Sequence, residues 1–454
     1  LQSSVEWGRR SLFIHWLGME TLQLLQTGQL KGIRRLNLAA GLTDVPPEVF
    51  DLADSLEVLD LSNNHLQALP AEFECLQKLQ IVFLSHNEFE ELPTVLSRCP
   101  QLSMIGLKSN RIKTIAAHAL PASVRWLILT DNQITQLPSS FGQLHQLQKL
   151  MLAGNQLRSL PESMAACQKL ELIRIAANQL TDLPEWLFTL PRLAWLAYSG
   201  NPLGAAGLGE RRSLAAIDWG DLELHETLGE GASGVIAKAT WQNQQTRSSV
   251  QVAVKLFKGE VTSDGLPMDE MQTCIAAGSH PNLVNLLGKV INHPDGKAGL
   301  VFALIPANYK NLGHPPSLET CTRDTYPPAT SFPPAVIWRI ARSIAAVAAH
   351  LHAGQIMHGD LYAHNILWNG LGDCLMGDFG AASFYPPHAL HLHRSLEALE
   401  VRAFGCLLED LLDRLDTAGP DVNCDRLRSL QQDCLHSVPS LRPTFAQILD
   451  EVMA

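Results

Sequence analysis

The residues with the clearest chemical potential lie in the second half of the chain. Asp360 and Asn365 are separated by four residues in HGDLYAHNIL, and Asp378 opens the sequence DFG. Carboxylate and amide oxygens are ligands that Mg²⁺ accepts together with phosphate oxygens. A carboxylate can also take the proton of an attacking hydroxyl group. This order of residues therefore favours a site for metal binding and proton transfer, although each residue taken alone is compatible with an ordinary surface position.

Two features nearer the middle of the chain favour an anion-binding site. The segment LGEGASGVIAKA holds Gly229, Gly231 and Gly234 in a G-x-G-x-x-G pattern, and glycine allows a close backbone approach to phosphates. Twenty-one residues after Gly234, the apolar segment VAVK ends in Lys255. A lysine in a buried strand is costly unless it meets an anion. Any turn can match the glycine pattern by accident, but the two features together indicate nucleotide binding.

These motifs together resemble the protein-kinase family, from about Trp219 to the end of the chain. The glycine pattern and VAVK are similar to the N-terminal lobe of kinases, and HGDLYAHNIL and DFG are similar to the C-terminal lobe. A dinucleotide-binding fold would instead open a helix after the glycines. HGD also resembles the phosphotransferases for aminoglycosides and choline, which lack the joint set of motifs. The resemblance implies a bilobal α+β fold that uses ATP and Mg²⁺.

The resemblance also implies a role for each matched residue. Asp360 would align the acceptor hydroxyl and take its proton, and Asn365 and Asp378 would hold Mg²⁺. Lys255 would contact the phosphates, and the carboxylate of Glu270 would orient it.

Asp269 competes with Glu270 for this orienting role, and either carboxylate is also compatible with a solvated helix position. The segment GLVFALIP is similar to the strand that enters the adenine-binding hinge, with Phe302 at the back of the pocket. The resemblance assigns ATP binding to Gly229, Gly231, Gly234, Ile236, Ala253, Lys255, Phe302, Ala303 and Ile305.

The chain departs from the family in its catalytic loop. Gly359 stands where most kinases have the arginine of H-R-D, which suggests activity that does not depend on a phosphorylated loop. Tyr362 stands where serine/threonine kinases have a lysine that neutralises the transferring phosphate. We expect a slower reaction or a substitute cation, for which His364 is the nearest candidate. The hydroxyl specificity therefore stays open.

The region after DFG also departs from the family. Only AASFYPPHALHLHRSLEAL separates DFG from the next helix, without an A-P-E motif, so the substrate platform looks truncated. Arg442, in the R-P-T position, is then expected to pair with Glu397 or Glu400. The proline-rich stretch GHPPSLETCTRDTYPPATSFPPA follows the hinge, and we expect an ordered surface loop over the cleft or a linker-like flap.

The first half of the chain repeats the frame L-x-x-L-x-L-x-x-N-x-L-x-x-L-P. The framing asparagines are 23 residues apart except for one step of 22, and they are Asn64, Asn87, Asn110, Asn132, Asn155, Asn178 and Asn201. L-x-L directs two side chains inward from a short strand, and the asparagine amide can satisfy backbone groups where the coil turns. The frame resembles the leucine-rich-repeat family. It predicts a solenoid in which each coil buries its leucines against its neighbours.

The strand residues between the leucines are expected to face the concave side, and they are unusually apolar for a surface. They are Val58, Ile81, Phe83, Met104, Trp126, Ile128, Met151, Leu172 and Trp195. We interpret this face as a docking site for a protein substrate or regulator, anchored by Phe83, Trp126, Ile128, Met151 and Trp195. Three alternatives remain: flanking charged side chains cover the face, some of these residues pack on each other, or the occupant is the C-terminal half of the same chain.

We therefore expect a multidomain chain, an α/β leucine-rich-repeat solenoid followed by a bilobal α+β kinase fold. The expected boundaries are a helical cap at 1–32, repeats at 33–204, a linker at 205–218 and a kinase domain at 219–454.

The net charge of -11 gives no basic surface for nucleic acid. Nine cysteines without a C-x-x-C pair argue for a reducing compartment, and we expect a cytoplasmic protein. The longest apolar candidate, residues 335–353, contains Arg339 and Arg342 and predicts a buried amphipathic helix, not a membrane span.

The preferred function is an ATP- and Mg²⁺-dependent protein kinase, with serine and threonine as preferred acceptors. The repeats would dock a substrate or partner, or regulate the kinase. The missing lysine at position 362 and the short activation segment leave a nucleotide-binding pseudokinase scaffold as the alternative.

Overall fold

The computed structural model describes residues 11–204, 214–244, 246–416 and 424–453. The chain forms two compact units, Gln2–Leu190 and Pro191–Ala454, which we call the repeat unit and the C-terminal unit. Most of the expected linker, residues 205–213, lies outside the described residues, as do the first ten residues of the expected helical cap.

The described part of the repeat unit combines one helix with a row of three-residue strands. These elements are α1 (Ser11–Gln26), β1 (Arg35–Asn37), β2 (Val58–Asp60), β3 (Ile81–Phe83), β4 (Met104–Gly106), β5 (Trp126–Ile128), β6 (Lys149–Met151) and β7 (Leu172–Arg174). Neighbouring strands pair in parallel in chain order. The middle residues of the strands, such as Leu59 and Leu127, are fully buried. The strands thus direct the predicted leucine row into a continuous core.

Short 3₁₀ helices form the opposite side of most coils, and each begins directly after a proline. They span Pro47–Leu52, Ala71–Cys75, Thr94–Arg98, Ser139–Gln143, Glu162–Ala166 and Glu185–Thr189. Proline favours the first turn of a helix because its φ angle is fixed and it needs no hydrogen-bond acceptor. In the copy where Ala116 occupies the proline position, turns form at residues 117–118 and 122–123 instead. The proline that ends the frame therefore favours a 3₁₀ helix in the coils that have it.

The framing asparagines form the predicted ladder. Nδ2 of Asn132 donates to the carbonyl oxygens of Leu107 and Leu129, at 2.9 and 3.1 Å. Oδ1 of Asn132 accepts from the backbone N–H of Ile112 at 3.0 Å. The same contacts with two carbonyl groups and one N–H recur at Asn87, Asn110, Asn155 and Asn178. The prediction that these amides satisfy backbone groups between coils is confirmed.

The apolar strand residues of the repeat unit range from half-buried to buried. Phe83, Trp126 and Ile128 are half-buried, whereas Met151 is only 8% exposed. The ammonium of Lys149 lies 4.1 Å from the ring centroid of Trp126, within the range of a cation–π contact. The charged side chain of Lys149 therefore covers part of this face, which agrees with one of the alternatives drawn from the sequence.

The C-terminal unit combines strands with longer helices. Its described strands are β8 (Trp195–Ala197), β9 (Ala216–Asp218), β10 (Leu222–Glu230), β11 (Gly234–Asn243), β12 (Ser248–Phe257), β13 (Leu286–Ile291), β14 (Gly299–Ala303), β15 (Lys310–Asn311), β16 (Ile356–Met357), β17 (Ile366–Trp368), β18 (Cys374–Met376) and β19 (Ser383–Phe384). Its described helices are α2 (Pro267–Ala277), α3 (Pro334–Ala353), α4 (Leu390–Leu412), α5 (Asp425–Cys434) and α6 (Phe445–Met453).

Three sheets organise the unit after β8. A six-stranded sheet has the order β10-β11-β12-β14-β13-β9, a three-stranded sheet has the order β15-β17-β18, and β16 pairs with β19. The later region is mainly helical, and α3 buries one apolar face that includes Ile337, Ile340 and Ile344. This confirms the amphipathic helix predicted for residues 335–353. Among the described residues, no helix is both long enough and apolar enough to span a bilayer.

Candidate active site

One face of the six-stranded sheet is packed, and the other carries the predicted nucleotide-binding side chains. Val252, Val254 and Val301 are fully buried in one hydrophobic cluster. Because successive side chains of a strand point to opposite faces, Ala253 and Lys255 lie on the other face. The alternation in VAVK therefore anchors the strand on one side and presents the lysine on the other.

Strand pairing adds two more predicted residues to this second face. Ile236 of β11 is paired with Lys255, and Phe302 of β14 is paired with Ala253. Residues directly opposite each other in an antiparallel pair share one face of the sheet. The sheet thus brings together four of the residues assigned to ATP binding.

Lys255 is held as a cation beside α2. Its ammonium forms an ion pair with Oε1 of Glu270, and only 12% and 6% of the two side chains are exposed. Burial alone would lower the pKa of Lys255, but the negative charges of Glu270 and Asp378 outweigh burial and raise that pKa. Of the two candidate carboxylates in the first turn of α2, Glu270 is the one that pairs with Lys255.

The glycine pattern lies at the turn between β10 and β11. Nζ of Lys258 fixes this turn by donating to Oε1 of Glu230 at 2.7 Å and to the carbonyl oxygen of Gly231 at 3.2 Å. A Cβ atom at Gly234 would lie 2.4 Å from the carbonyl oxygen of Leu256, so packing requires glycine there. A Cβ atom at Gly231 would meet no atom within 4 Å. Open space at Gly231 leaves room for a ligand close to the backbone.

The segment between β16 and β17 holds the second group of predicted residues. Nδ2 of Asn365 donates to the carbonyl oxygen and to Oδ2 of Asp360, at 2.9 and 2.8 Å. The N–H of Gly377 donates to the carbonyl oxygen of Asn365 at 3.2 Å, which extends the pairing of β17 with β18. Asp378 follows Gly377 directly, so this pairing places it next to the loop of Asp360.

Asp378 has an unusual backbone conformation. Its φ angle is +57°, in the left-handed region that residues other than glycine seldom adopt. Its side chain is exposed, and Oδ1 accepts from the N–H of Gly380 at 3.2 Å. The next residue, Phe379, is buried, with its ring centroid 5.3 Å from that of His358. The turn thus leaves the Asp378 carboxylate accessible while Phe379 anchors the chain.

A buried carboxylate of α4 fixes the start of the Asp360 loop. Glu400 accepts from the backbone N–H groups of His358 and Gly359, at 3.0 and 2.7 Å. Nε2 of His352 lies 2.8 Å from Oε2 of Glu400. Burial raises the pKa of Glu400, but the hydrogen bond and charge of His352 outweigh burial, and the pKa is lowered. Sequence reasoning did not assign this role to Glu400.

Two family models match the chain. The leucine rich repeat model matches residues 29–89, 100–157 and 146–203. The model of the protein tyrosine and serine/threonine kinase domain matches residues 222–402. The chain carries leucine-rich repeats followed by a protein kinase domain. Both resemblances drawn from the sequence are confirmed.

Curated proteins match the chain at low identity. Fibroblast growth factor receptor 1 of Xenopus laevis is 26% identical over 57% of this chain and 38% of the receptor. The receptor of the same name from Pleurodeles waltl is 25% identical, over 51% of this chain and 34% of the receptor. A probable serine/threonine-protein kinase of Dictyostelium discoideum is 26% identical, over 52% of this chain and 16% of that protein. The chain therefore spans well under half the length of these relatives.

The backbone around Gly359 accounts for glycine at the position where most kinases have an arginine. Its φ angle is +73°, and a Cβ atom there would lie 2.5 Å from the carbonyl oxygen of Leu196 and 2.6 Å from that of Ala381. An arginine cannot occupy this position unless the backbone moves. The close backbone packing and the positive φ angle therefore favour glycine at this position.

The proline-rich stretch after the hinge is ordered and reaches the catalytic loop of the kinase domain. Asp324, 6% exposed, accepts from the backbone N–H of His364 at 3.0 Å and from its Nδ1 at 2.7 Å. Burial lowers the pKa of His364, but the hydrogen bond and charge of Asp324 outweigh burial and raise it. Arg323 fixes the same stretch to α4 through Glu409 and Asp410, each at 2.6 Å. Sequence reasoning missed Asp324 because it lies in an aperiodic insertion.

The expectation for Arg442 of the kinase domain is wrong. Arg442 is 1% exposed and donates to the carbonyl oxygens of His436, Ala398 and Pro191, at 3.0, 2.8 and 3.0 Å. Burial lowers the pKa of this guanidinium to about 9. The two carboxylates proposed as partners accept hydrogen bonds from other groups. Glu397 accepts one from the N–H of Phe445, and Glu400 accepts those from the N–H groups of His358 and Gly359.

The predicted hinge residues line a cavity of the kinase domain. Ala303 and Ile305 form one wall of this cavity, and His280, Leu283 and Leu375 contribute others. The N–H of Ala303 donates to the carbonyl oxygen of Asn285 at 2.9 Å. This hydrogen bond fixes the backbone at the start of the hinge.

Proposed function

We propose that the kinase domain, with Mg²⁺ as its cofactor, transfers the γ-phosphoryl group of ATP to a protein hydroxyl group. The arrangement of five polar side chains from separate elements carries the proposal. Lys255 is paired with Glu270, Asp360 is bonded to Asn365, and Asp378 is close enough to Lys255 to raise its pKa. Such convergence of a cation, metal-binding oxygens and a carboxylate base matches the chemistry of phosphoryl transfer.

The residues around Lys255 suit a nucleotide. Ile236 and Ala253 offer apolar surface for a base on the face that carries Lys255. The Lys255 ammonium, held by Glu270, would contact phosphate oxygens, and the open backbone at Gly231 would lie against them. Phe302, Ala303 and Ile305 would complete the adenine pocket.

Asn365 and Asp378 suit a Mg²⁺ ion shared with phosphates. Because Nδ2 of Asn365 is committed to Asp360, its amide oxygen is the atom that can accept a metal. Within the described ranges, no group of three or more His, Cys, Asp or Glu side chains could hold a metal alone. Mg²⁺ usually binds one or two protein oxygens and completes its shell with phosphate and water. A bound ion would neutralise charge on the phosphate oxygens.

Asp360 is the base in this proposal. Its Oδ2 is oriented by Asn365, and the loop that carries it is fixed by Glu400. A fixed carboxylate can align an acceptor hydroxyl and take its proton. Serine and threonine are the preferred acceptors, in line with the name of the Dictyostelium relative, although the family model includes tyrosine kinases.

The repeats would bring a protein substrate or regulator to the kinase domain. Phe83, Trp126, Ile128 and Met151 would contribute to this contact from the strand face of the repeat unit. Phe83, Trp126 and Ile128 are half-buried, and aromatic side chains are typical anchors of protein interfaces.

The test combines transfer with acceptor analysis. The intact chain is incubated with ATP labelled at the γ-phosphate, in excess Mg²⁺ or excess EDTA, and the labelled amino acids are identified after hydrolysis. Asp378→Asn serves as the variant that weakens the proposed metal site. We expect label on serine or threonine that requires Mg²⁺ and falls about 100-fold in the variant.

Other outcomes separate the alternatives. Label only on tyrosine would reject the proposed acceptor preference. No label in any sample, with a Mg²⁺-dependent rise in melting temperature on ATP addition, would favour the pseudokinase scaffold.

A further inference from the structure

The last copy of the repeat frame belongs to the same compact unit as the kinase domain. This final coil (residues 191–201) contains β8 and reads Leu193, Leu196, Tyr198, Asn201. The third apolar position of the frame, held by Tyr198, is leucine or isoleucine in the earlier copies, namely Leu61, Leu84, Leu107, Leu129, Leu152 and Ile175. A buried tyrosine brings a hydroxyl group into an aliphatic position and needs a polar partner.

Trp195 of the final coil contacts the catalytic loop. Its ring stacks on that of Tyr362, with centroids 4.3 Å apart and an interplanar angle of 8°. Its Nε1–H donates to the carbonyl oxygen of Leu361 at 3.1 Å. Leu361 and Tyr362 are the two residues that follow the proposed base, Asp360. Trp195 and Tyr362 are 2% and 5% exposed, so the contact is dry as well as specific.

Tyr198 of the final coil contacts the strand that follows DFG. Its hydroxyl group donates to the carbonyl oxygen of Phe384 at 3.0 Å, and its N–H donates to Oγ of Ser383 at 3.2 Å. Ser383 and Phe384 form β19, which pairs with β16 at the entrance of the catalytic loop. The final coil therefore holds both the catalytic loop and the strand beside it.

Two arginines of the C-terminal helical region form hydrogen bonds with the start of the same coil. Arg442 donates to the carbonyl oxygen of Pro191 at 3.0 Å, and Nε of Arg402 donates to that of Arg192 at 3.0 Å. Arg442 thus bonds to the final coil where the sequence predicted a carboxylate partner. The coil meets the kinase domain at its catalytic loop, at its shortened activation segment and at its buried arginine.

We infer that the final coil takes the place of the missing part of the activation segment, and that Trp195 and Tyr198 are positioning residues for Asp360. The departures at positions 359 and 362 fit this arrangement. Glycine at position 359 allows the Leu196 carbonyl group to pack against the backbone, and the aromatic ring at position 362 stacks on that of Trp195. The inference rests on the proposed phosphoryl transfer, since positioning matters only for a catalytic loop that acts.

The test uses the intact chain with four variants. Trp195→Ala removes the stack and the Nε1 bond, Trp195→Phe keeps a ring over Tyr362, and Tyr198→Phe removes only the hydroxyl bond. Trp219→Phe is the control, because Trp219 lies against His293 in the same unit, away from the catalytic loop residues, and phenylalanine keeps a ring against the buried cluster of the sheet. The readouts are kcat, the KM for ATP, and amide hydrogen exchange of residues 358–365.

We expect Trp195→Ala to lower kcat about 10- to 100-fold, because small displacements of catalytic groups have effects of this size. The KM for ATP should stay within about threefold, since the nucleotide contacts lie elsewhere. Exchange at residues 358–365 should be faster in Trp195→Ala than in the wild type. Trp195→Phe should recover most of the activity, the kcat of Tyr198→Phe should lie between those of the two Trp195 variants, and Trp219→Phe should match the wild type.

Three results would overturn the inference. The first is an unchanged kcat with unchanged exchange in Trp195→Ala. The second is a higher kcat in that variant, which would show that the coil blocks acceptors. The third is an equal loss of kcat in Trp219→Phe. A wild type without any transfer would reject the proposed function instead. Hydrogen exchange would then still show whether the final coil stabilises residues 358–365, because it reports the loop's stability without requiring activity.

Discussion

At the scale of single residues, the central feature is a buried ion pair whose geometry depends on both partners. Lys255 and Glu270 are mostly buried, so removing one charge leaves the other without compensation. The strand pattern V-A-V-K and the first turn of α2 place them, and both signals are local in sequence. This is why the pair could be anticipated from the sequence, together with the Asp269 alternative.

We predict that Glu270→Gln lowers kcat/KM for ATP about 10- to 100-fold, because Lys255 loses its orienting charge. The matched control is Asp269→Asn, which changes the neighbouring carboxyl group in the same turn and should leave kcat/KM nearly unchanged. Initial rates of transfer across a range of ATP concentrations check both variants. Equal losses in both would contradict the assignment of Glu270.

A second residue-scale prediction concerns Gly359. Gly359→Arg would restore the family's usual H-R-D motif, but its Cβ atom would lie 2.5 Å from the Leu196 carbonyl oxygen. Because this contact adds to the strain of the positive φ angle, we expect a loss of roughly 2–4 kcal/mol in the free energy of unfolding. Urea denaturation of the intact chain, followed by tryptophan fluorescence, measures this loss. A variant as stable as the wild type would show that the backbone contact is not constraining.

At the scale of elements, the asparagine ladder is the device that fixes successive coils. Asn132→Ala removes bonds to Leu107, Leu129 and Ile112 and leaves buried backbone groups unsatisfied. We predict a loss of about 2–4 kcal/mol in the stability of the repeat unit. The neighbouring exposed Gln133, replaced by alanine, should change it by less than about 0.5 kcal/mol. Chemical denaturation followed by far-UV circular dichroism distinguishes the two.

The proline-rich insertion is an element that supports the catalytic loop. Asp324→Ala would leave the backbone N–H and the side chain of His364 without their buried acceptor. We predict a drop in kcat of about tenfold with little change in the KM for ATP. Glu319→Gln, at an exposed position of the same insertion, is the control. If Asp324→Ala kept full activity, the insertion would have no part in positioning the loop.

The elements also show what a sequence can and cannot predict. The repeat strands, the asparagine ladder and the helix α3 follow from periodic patterns, in which each residue's environment recurs at a fixed spacing. The partners of Asp324 and Arg442 do not, because they come from segments tens to hundreds of residues away with no shared pattern. The Arg442 prediction was wrong for this reason: its acceptors are backbone carbonyl groups, including that of Pro191, which no side-chain motif reveals.

At the scale of the whole molecule, the kinase domain and the last copy of the repeat frame share one compact unit. The fold class followed from motifs. Trp195 was predicted to dock either a separate protein or the C-terminal half of the same chain, and its contact with Tyr362 agrees with the second alternative, although no motif indicated the partner residue. A division at the end of the leucine frame would therefore remove contacts from the catalytic loop. Studies of the kinase domain should retain residues from position 191 onward.

The most direct test of the account is a single-turnover measurement of phosphate transfer by the intact chain. Enzyme in excess over labelled ATP, with Mg²⁺, reports the chemical step without product release. We predict that Asp360→Asn slows this step about 10²- to 10⁴-fold, the range expected for loss of a general base. The affinity for ATP should stay within about threefold, because Asp360 is not assigned to nucleotide binding. Equal single-turnover rates in the wild type and Asp360→Asn would contradict the proposed catalytic role of this site.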